Sequence, residues 1–339
     1  MNFDFTEDQH EIKRTARDLL TKRSGFEQIR EAAEAEAYDE SLFSELCELG
    51  WAGIAVDEQY GGAGLGVVEL MILSEELGFS LAASPFLANA IGGLMIEHAG
   101  SDEQRAKWLP GIATGEATAT LAVASGGVAD LAPDADGAAV IVLVDGDSAV
   151  LVARDQAEVE PLTTIDPTRR YARVTASGGE PLPGDVAGGL ARAEVALSAE
   201  MVGIAQRTME MAIEYAKDRK QFDTRIGAFQ AVSHRCAQML FDTESARSAT
   251  YFAGWAADAD ELQLALAASI AKAAASDAAH SVTNSSIQIH GGIGFTWEAD
   301  VHWFFKRAQL DASMLASASS YRARVTALTA ASLAVAGGA

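Results

Sequence analysis

Apolar positions recur every three or four residues through most of the first 115 positions, the step of helices that bury one face. Ile12, Ala16, Leu19 and Leu20 keep that step behind a Thr6–Gln9 pair that reads as a capping box. Leu42, Leu46 and Leu49 repeat it, with Gly50 as the stop. A glycine-rich loop at 60–64 precedes a further helix over about 67–77. Ser101 and Gln104 make a second capping box, and Pro110 is expected to close that element. The pattern then changes. Residues 140–144 form a β-branched run, Asp145-Gly146 is a turn signal and 149–153 is the returning run, which predicts a hairpin. Residues 171–175 offer a further strand. From about 189 the helical step returns, through Leu197, Met201, Ile204, Thr208, Ala212 and Tyr215, and again through Leu264, Ala267, Ala271, Ala274, Ala278, Val282 and Ile289. Alanine and serine crowd this second face, and small residues let helix axes approach closely, as in a tight antiparallel bundle.

The order of helices, strands and helices predicts an α+β chain. Its expected parts are an N-terminal helical domain over 1–115, a small antiparallel β domain over 116–187 and a C-terminal helical bundle over 188–339. It argues against the alternating β-α units of a Rossmann dinucleotide fold.

The 339 residues carry 25 Lys+Arg against 48 Asp+Glu, a net charge of −23 that repels a phosphate backbone and disfavours nucleic acid as a partner. The densest basic stretch, 217–225, is interleaved with Asp218 and Asp223. The two cysteines, Cys47 and Cys236, sit in helical patterns with no metal-ligand spacing, which fits a reducing cytoplasm and argues against a metal site or disulfide framework. The acidic N-terminus does not resemble a signal peptide, and no apolar run approaches the length of a membrane span. A soluble cytoplasmic protein is the expectation.

Two segments carry candidate chemistry. YAKDRKQFDTRIGAFQAVSHRCAQM, residues 215–239, sets Arg219, Phe222 and Gln230 around a break between two long helices. Backbone N–H groups at the start of the second helix, together with an arginine, can hold a diphosphate. A solvated helix connection is the competing reading. IQIHGGIGFTW, residues 287–297, places a Gly-Gly pair at a helix end, where it caps the helix or admits a ligand close to the backbone.

Taken with FTEDQ, AVDEQYGGAGLG and LPGIATGE in the same order, these segments resemble the acyl-CoA dehydrogenase family over nearly the whole chain. The resemblance implies a helical domain, a β domain and a four-helix bundle. It also implies assembly as dimers or tetramers and FAD at a subunit interface. Arg219, Phe222 and Gln230 would contact its diphosphate and adenine side. Gln288, Gly291 and Gly292 would contact it from across the interface or nearby. Ser317 and Ser319 fall near a further flavin-contacting stretch but match its residue types poorly.

The family's reaction needs a carboxylate base at the substrate α carbon, and the two places where members keep it hold Leu315 and Ala193 here. Glu194 follows Ala193, but one helical residue turns a side chain by about 100°. Glu194 also stands where many members carry a substrate-binding arginine, and Ala191 replaces the partnering aspartate. The Thr-Glu-Pro…Gly-Ser-Asp segment that positions flavin and thioester is absent after Gly115-Glu116, and the β segment looks shortened. Asp311 and Glu298 are weaker replacement-base candidates, each read first as a solvated carboxylate or ion-pair partner. His234, His290, His302 and Trp303 are expected to pack or to make structural hydrogen bonds.

The chain is therefore expected to take part in FAD-dependent α,β-dehydrogenation of an acyl-CoA with no catalytic residue of its own. It would pair with a paralogous complete subunit and pass electrons to an electron-transfer flavoprotein. The alternatives are a self-sufficient homo-oligomeric dehydrogenase with a relocated base, a flavin-free structural relative, and a flavin oxidase or monooxygenase on the same scaffold.

Overall fold

The computed structural model describes residues 4–35 and 37–337. Residues 1–3, part of the stretch read as unlike a signal peptide, lie outside the described residues. Six helices come first: α1 (Glu7–Arg23), α2 (Phe26–Ala35), α3 (Glu40–Glu48), α4 (Val67–Phe79), α5 (Phe86–Ala99) and α6 (Asp102–Thr114). The Thr6 capping box forms, with Gln9 N donating to Thr6 Oγ1 at 3.2 Å and Thr6 N to Gln9 Oε1 at 2.9 Å. Glu7 and Asp8 at the start of α1 and Lys22 and Arg23 at its end complement the helix dipole. The second capping box, at Ser101 and Gln104, also forms. Pro110 does not close α6. The helix runs through it to Gly115, because Leu109, Ile112 and Ala113 on either side of the proline are buried in the core and hold the turn.

Seven strands follow: β1 (Ala119–Val123), β2 (Val128–Pro133), β3 (Val140–Asp145), β4 (Ser148–Ala153), β5 (Glu158–Leu162), β6 (Tyr171–Thr175) and β7 (Glu180–Pro181). They make two sheets, ordered β1-β3-β4-β7 and β2-β6-β5. The predicted hairpin is β3–β4, paired from Val140↔Ala153 to Asp145↔Ser148. One pairing departs from the expected antiparallel module: β1 runs parallel to β3. The reason is topological. β2 leaves the first sheet to join the second, so β1 and β3 are linked by a crossover rather than a tight turn. The unbroken apolar run of β3 follows from burial on both faces: Val140, Val142 and Val144 join the main core, whereas Ile141 and Leu143 join a separate cluster with Ala172 and Val174 of β6.

The chain ends in α7 (Val186–Asp218), a short hairpin of β8 (Lys220–Gln221) and β9 (Thr224–Arg225), then α8 (Gln230–Ala259), α9 (Glu261–His290), α10 (Val301–Ser313) and α11 (Ala318–Gly337). The fourth place of the expected bundle is shared, with α10 packed on α7 and α9 and α11 packed on α9. Helix α7 is the spine, in contact with α4, α5, α8 and α9. Two glycines permit its approach to α4: a Cβ on Gly203 would lie 1.9 Å from Glu75 O, and one on Gly78 would lie 2.1 Å from Glu200 O. Among the described residues, no helix is long and apolar enough to cross a membrane.

Candidate functional site

Arg219 is the C-cap of α7, its N still donating to Tyr215 O at 2.9 Å. The chain then reverses, and Ile226 N returns to Arg219 O at 2.9 Å. Phe222 and Asp223 form the turn with φ of 53° and 59°, the left-handed pair that a type I′ hairpin requires. That turn carries Phe222 out to 89% exposure. Gln230 opens α8, where the N-cap Phe229 makes no side-chain bond to the first turn, so the helix start keeps uncapped amide donors. On the other side α9 ends at His290, and Gly291, φ 66°, breaks the helix one turn after Gln288. A Cβ built on Gly291 or Gly292 meets nothing within 4 Å, which leaves this backbone open to close approach.

All six residues stand at one end of the bundle. The Tyr215 ring stacks on His290 with centroids 4.5 Å apart and planes at 24°. Ile226, Val232 and Ile289 share an apolar cluster with Ala212, Ala216 and Met239. Arg219, Gln230, Gln288 and Gly292 are exposed, and Gly291 is half-buried. Among the described residues, the side chains of Arg219, Gln230 and Gln288 make no ion pair and no hydrogen bond. A free guanidinium, two free amides, an exposed aromatic ring and open glycine backbone suit the diphosphate and flat base of a dinucleotide.

The loop where the family keeps a base is built differently. Leu315 lies between α10 and α11 with φ 64°, half-buried against the main core. Lys272 of α9, fully buried, donates to the carbonyls of Asp311 at 3.2 Å and Ala312 at 3.4 Å and to Ser276 Oγ at 3.1 Å. Those carbonyls lie at the end of α10, where Asp311 O also accepts from Met314 N at 3.3 Å. Burial lowers the Lys272 ammonium to about 8, against the pull of Asp311 and Glu194.

Beside this loop lies a buried ionic cluster that sequence reasoning missed. Arg169 Nη1 donates to Asp311 Oδ1 at 2.9 Å and its Nη2 to Glu200 Oε1 at 2.6 Å. Arg307 Nε pairs with Asp166, its Nη2 reaches Thr168 O at 2.8 Å, and its Nη1 reaches Glu200 Oε1 at 3.3 Å. All five charged groups are buried, and they tie the segment before β6 to α7 and α10. The available signal was charge inside apolar helical faces. Glu200 adjoins Met201 on the α7 stripe, and Lys272 adjoins Ala271 on the α9 stripe.

The replacement-base candidates part company. Asp311, at 0% exposure, is held by Arg169. Glu194, at 1% exposure, takes Arg324 Nη1 at 2.8 Å, and burial raises its carboxyl. Glu298 is exposed beyond the glycine pair and bonded to Thr296. His234 is exposed; His302 packs against Trp303 and Trp297, at 4.2 and 5.0 Å between ring centroids. Ser317 bonds Ser319 and Ser320 on the surface. After β1 the chain makes a tight turn, Ser125 pairing with Val128, where the Thr-Glu-Pro…Gly-Ser-Asp segment is missing.

Residues 6–116 match the family profile described as acyl-CoA dehydrogenase, N-terminal domain, and residues 185–314 match acyl-CoA dehydrogenase, C-terminal domain. The acyl-CoA dehydrogenase IpdE2 of Mycobacterium tuberculosis is 35% identical over 319 residues, covering 92% of this chain and 94% of its own. The chain belongs to the acyl-CoA dehydrogenase family. Among solved structures, the Tcur3481-Tcur3483 steroid acyl-CoA dehydrogenase (G363A variant) superposes with a TM-score of 0.87 at 27% identity, over 97% of this chain and 99% of that one. The ChsE4-ChsE5 complex from Mycobacterium tuberculosis shares the fold at a TM-score of 0.88 and 24% identity, over 97% of this chain and 99% of that one.

Proposed function

We propose that this chain is the base-lacking subunit of a heteromeric, FAD-dependent acyl-CoA dehydrogenase acting in the cytoplasm. Arg219, Phe222, Gln230, Gln288, Gly291 and Gly292 hold the diphosphate and adenine end of an FAD, whose reactive ring is enclosed by a paralogous subunit. When bound, FAD would supply the acceptor for the β hydride of the acyl-CoA, a carboxylate of the partner would take the α proton, and an electron-transfer flavoprotein would be the onward electron acceptor.

The observation that carries this reading is the contrast at the two sites. The tail-binding side chains are free of internal partners, whereas Leu315 stands in the base loop and the candidate acids Asp311 and Glu194 are each paired through one oxygen, with Arg169 and Arg324. The paired chains named in the two related structures support a heteromer, and the steroid dehydrogenase among them supports a steroid-derived acyl-CoA as substrate. The test is purification alone and with a paralogue that carries the base glutamate. The complex should hold flavin and turn over acyl-CoA, and the lone chain should not. Turnover by the lone chain with full flavin would reject the proposal in favour of a relocated base.

A further inference from the structure

We infer that Tyr215 and His290 are positioning residues that set the distance between the two halves of the cofactor-tail site. This inference rests on the function proposed above. One half hangs on the end of α7, where Arg219 follows Tyr215 by one helical turn and bonds its carbonyl at 2.9 Å. The other half hangs on the end of α9, where His290 lies between Gln288 and the Gly291-Gly292 pair. The stack at 4.5 Å and 24° joins the two helix ends directly.

The imidazole is held in place from its own helix. His290 Nδ1 lies 2.8 Å from Ser286 O, so the neutral ring places its proton on Nδ1 and donates there. Ser286 Oγ in turn donates to Thr208 O of α7 at 2.9 Å, a second tie between the same two helices one turn further in. Burial keeps the ring neutral by pushing its pKa below the ordinary value, against the Ser286 carbonyl. Beyond the stack Gly291 N, at φ 66°, closes back on Ile287 O and Gln288 O and the chain enters a short 3-10 turn, Gly291–Phe295, with Gly292 open to solvent. Together with the Ser286–Thr208 bond and the apolar cluster of Ile226, Val232 and Ile289, the two rings therefore set the register of Arg219 against Gln288. Neither ring needs to touch the cofactor.

The experiment is FAD titration, followed by flavin fluorescence, of whichever form of the protein retains flavin, the chain alone or its complex with the paralogue. His290→Ala and Tyr215→Ala should each weaken FAD binding about threefold to tenfold, the value of a stacked aromatic pair. The double variant should be no weaker than either single one. His290→Phe, which keeps the stack and loses the Ser286 bond, should stay within about twofold of wild type. Unfolding of each variant without FAD checks that the bundle is intact. Equal FAD affinity in wild type and His290→Ala, or His290→Phe as weak as His290→Ala, overturns the inference while leaving the proposed function standing. A wild type that retains no flavin in either form overturns the proposed function and this inference with it.

Discussion

Replacing Asp311 separates a buried structural carboxyl from a catalytic base. Two guanidiniums, Arg169 and Arg307, face three carboxyl groups, Asp166, Glu200 and Asp311, and none of the five is more than 4% exposed. Shut away from solvent, with two guanidiniums against three carboxyls, this group favours one proton shared among the acids. Burial, with the Glu200 carboxylate beside it, pushes Asp311 well above the usual carboxylate range. Burial works against the Glu200 carboxylate too, but Arg169 and Arg307 hold it below that range. Asp311 Oδ2 and Glu200 Oε2 are the oxygens left without a donor, and a proton on Asp311 directed to Glu200 satisfies both.

Asparagine reproduces that state, accepting from Arg169 through its oxygen and donating to Glu200 through its nitrogen. Asp311→Asn should change stability by less than about 1 kcal/mol. Asp311→Ala leaves Arg169 and Glu200 short of partners and should cost about 3–5 kcal/mol. The folded carboxyl holds its proton to higher pH than the unfolded one, which releases it near about 3.9. Its contribution is whole below about pH 4 and falls as pH rises through the folded value. Asn removes that fall, so the variant should gain on wild type as pH rises above about 4. Urea unfolding at several pH values, with turnover of the complex measured in parallel, checks both claims. An Asp311→Asn protein that unfolds like wild type yet abolishes turnover would make Asp311 a base and refute this assignment.

Arg219→Ala removes the free guanidinium of the tail site and should weaken FAD retention by about 1.5–3 kcal/mol, read as flavin content after gel filtration, with unfolding unchanged. Gly203→Ala drives a methyl into Glu75 O at the α4–α7 crossing and should lower stability by about 1–3 kcal/mol in urea titration. Lys272 has its folded pKa lowered to about 8, so between that value and about 10.5 the unfolded chain holds a proton that the folded one has shed, and stability rises with pH. In Lys272→Met that part of the rise should vanish from the pH dependence of the urea midpoint.

The order of helices, strands and helices was legible because periodicity reports burial, and burial is what the fold satisfies first. The capping boxes at Thr6 and Ser101, the β3–β4 hairpin and the left-handed stop at Gly50 are local, and each was readable from a few adjacent residues. Pro110 misled because a local rule about hydrogen bonding was outweighed by burial of Leu109 and Ile112 from elsewhere in the chain. The parallel pairing of β1 with β3 depends on which sheet β2 joins, and no short pattern encodes that. The ionic cluster was invisible for a similar reason. Asp166 and Arg307 are 141 positions apart, and Arg169 and Asp311 are 142. Read singly, each looks like a surface charge.

The proposed subunit role fits where this chain leaves polar groups free. A site that performs chemistry inside one chain must leave polar groups available to substrate and keep its base unpaired. Around Leu315 the reverse holds: Lys272 caps the end of α10, Arg324 engages Glu194, and Arg169 engages both Asp311 and Glu200. Availability lies on the outside of the bundle instead. Phe222 is 89% exposed, Phe295 77%, Trp297 70% and Phe241 66%, on the hairpin, the α9–α10 connection and α8. Aromatic area of this size left in water is costly unless something covers it. Phe222, Phe295 and Trp297 lie on the segments that flank Arg219, Gln230 and Gln288, so a partner that covered them would also come up against the proposed tail site. An end so exposed, on a chain whose two base positions hold Leu315 and Ala193, is what the proposed completion of a site by assembly requires.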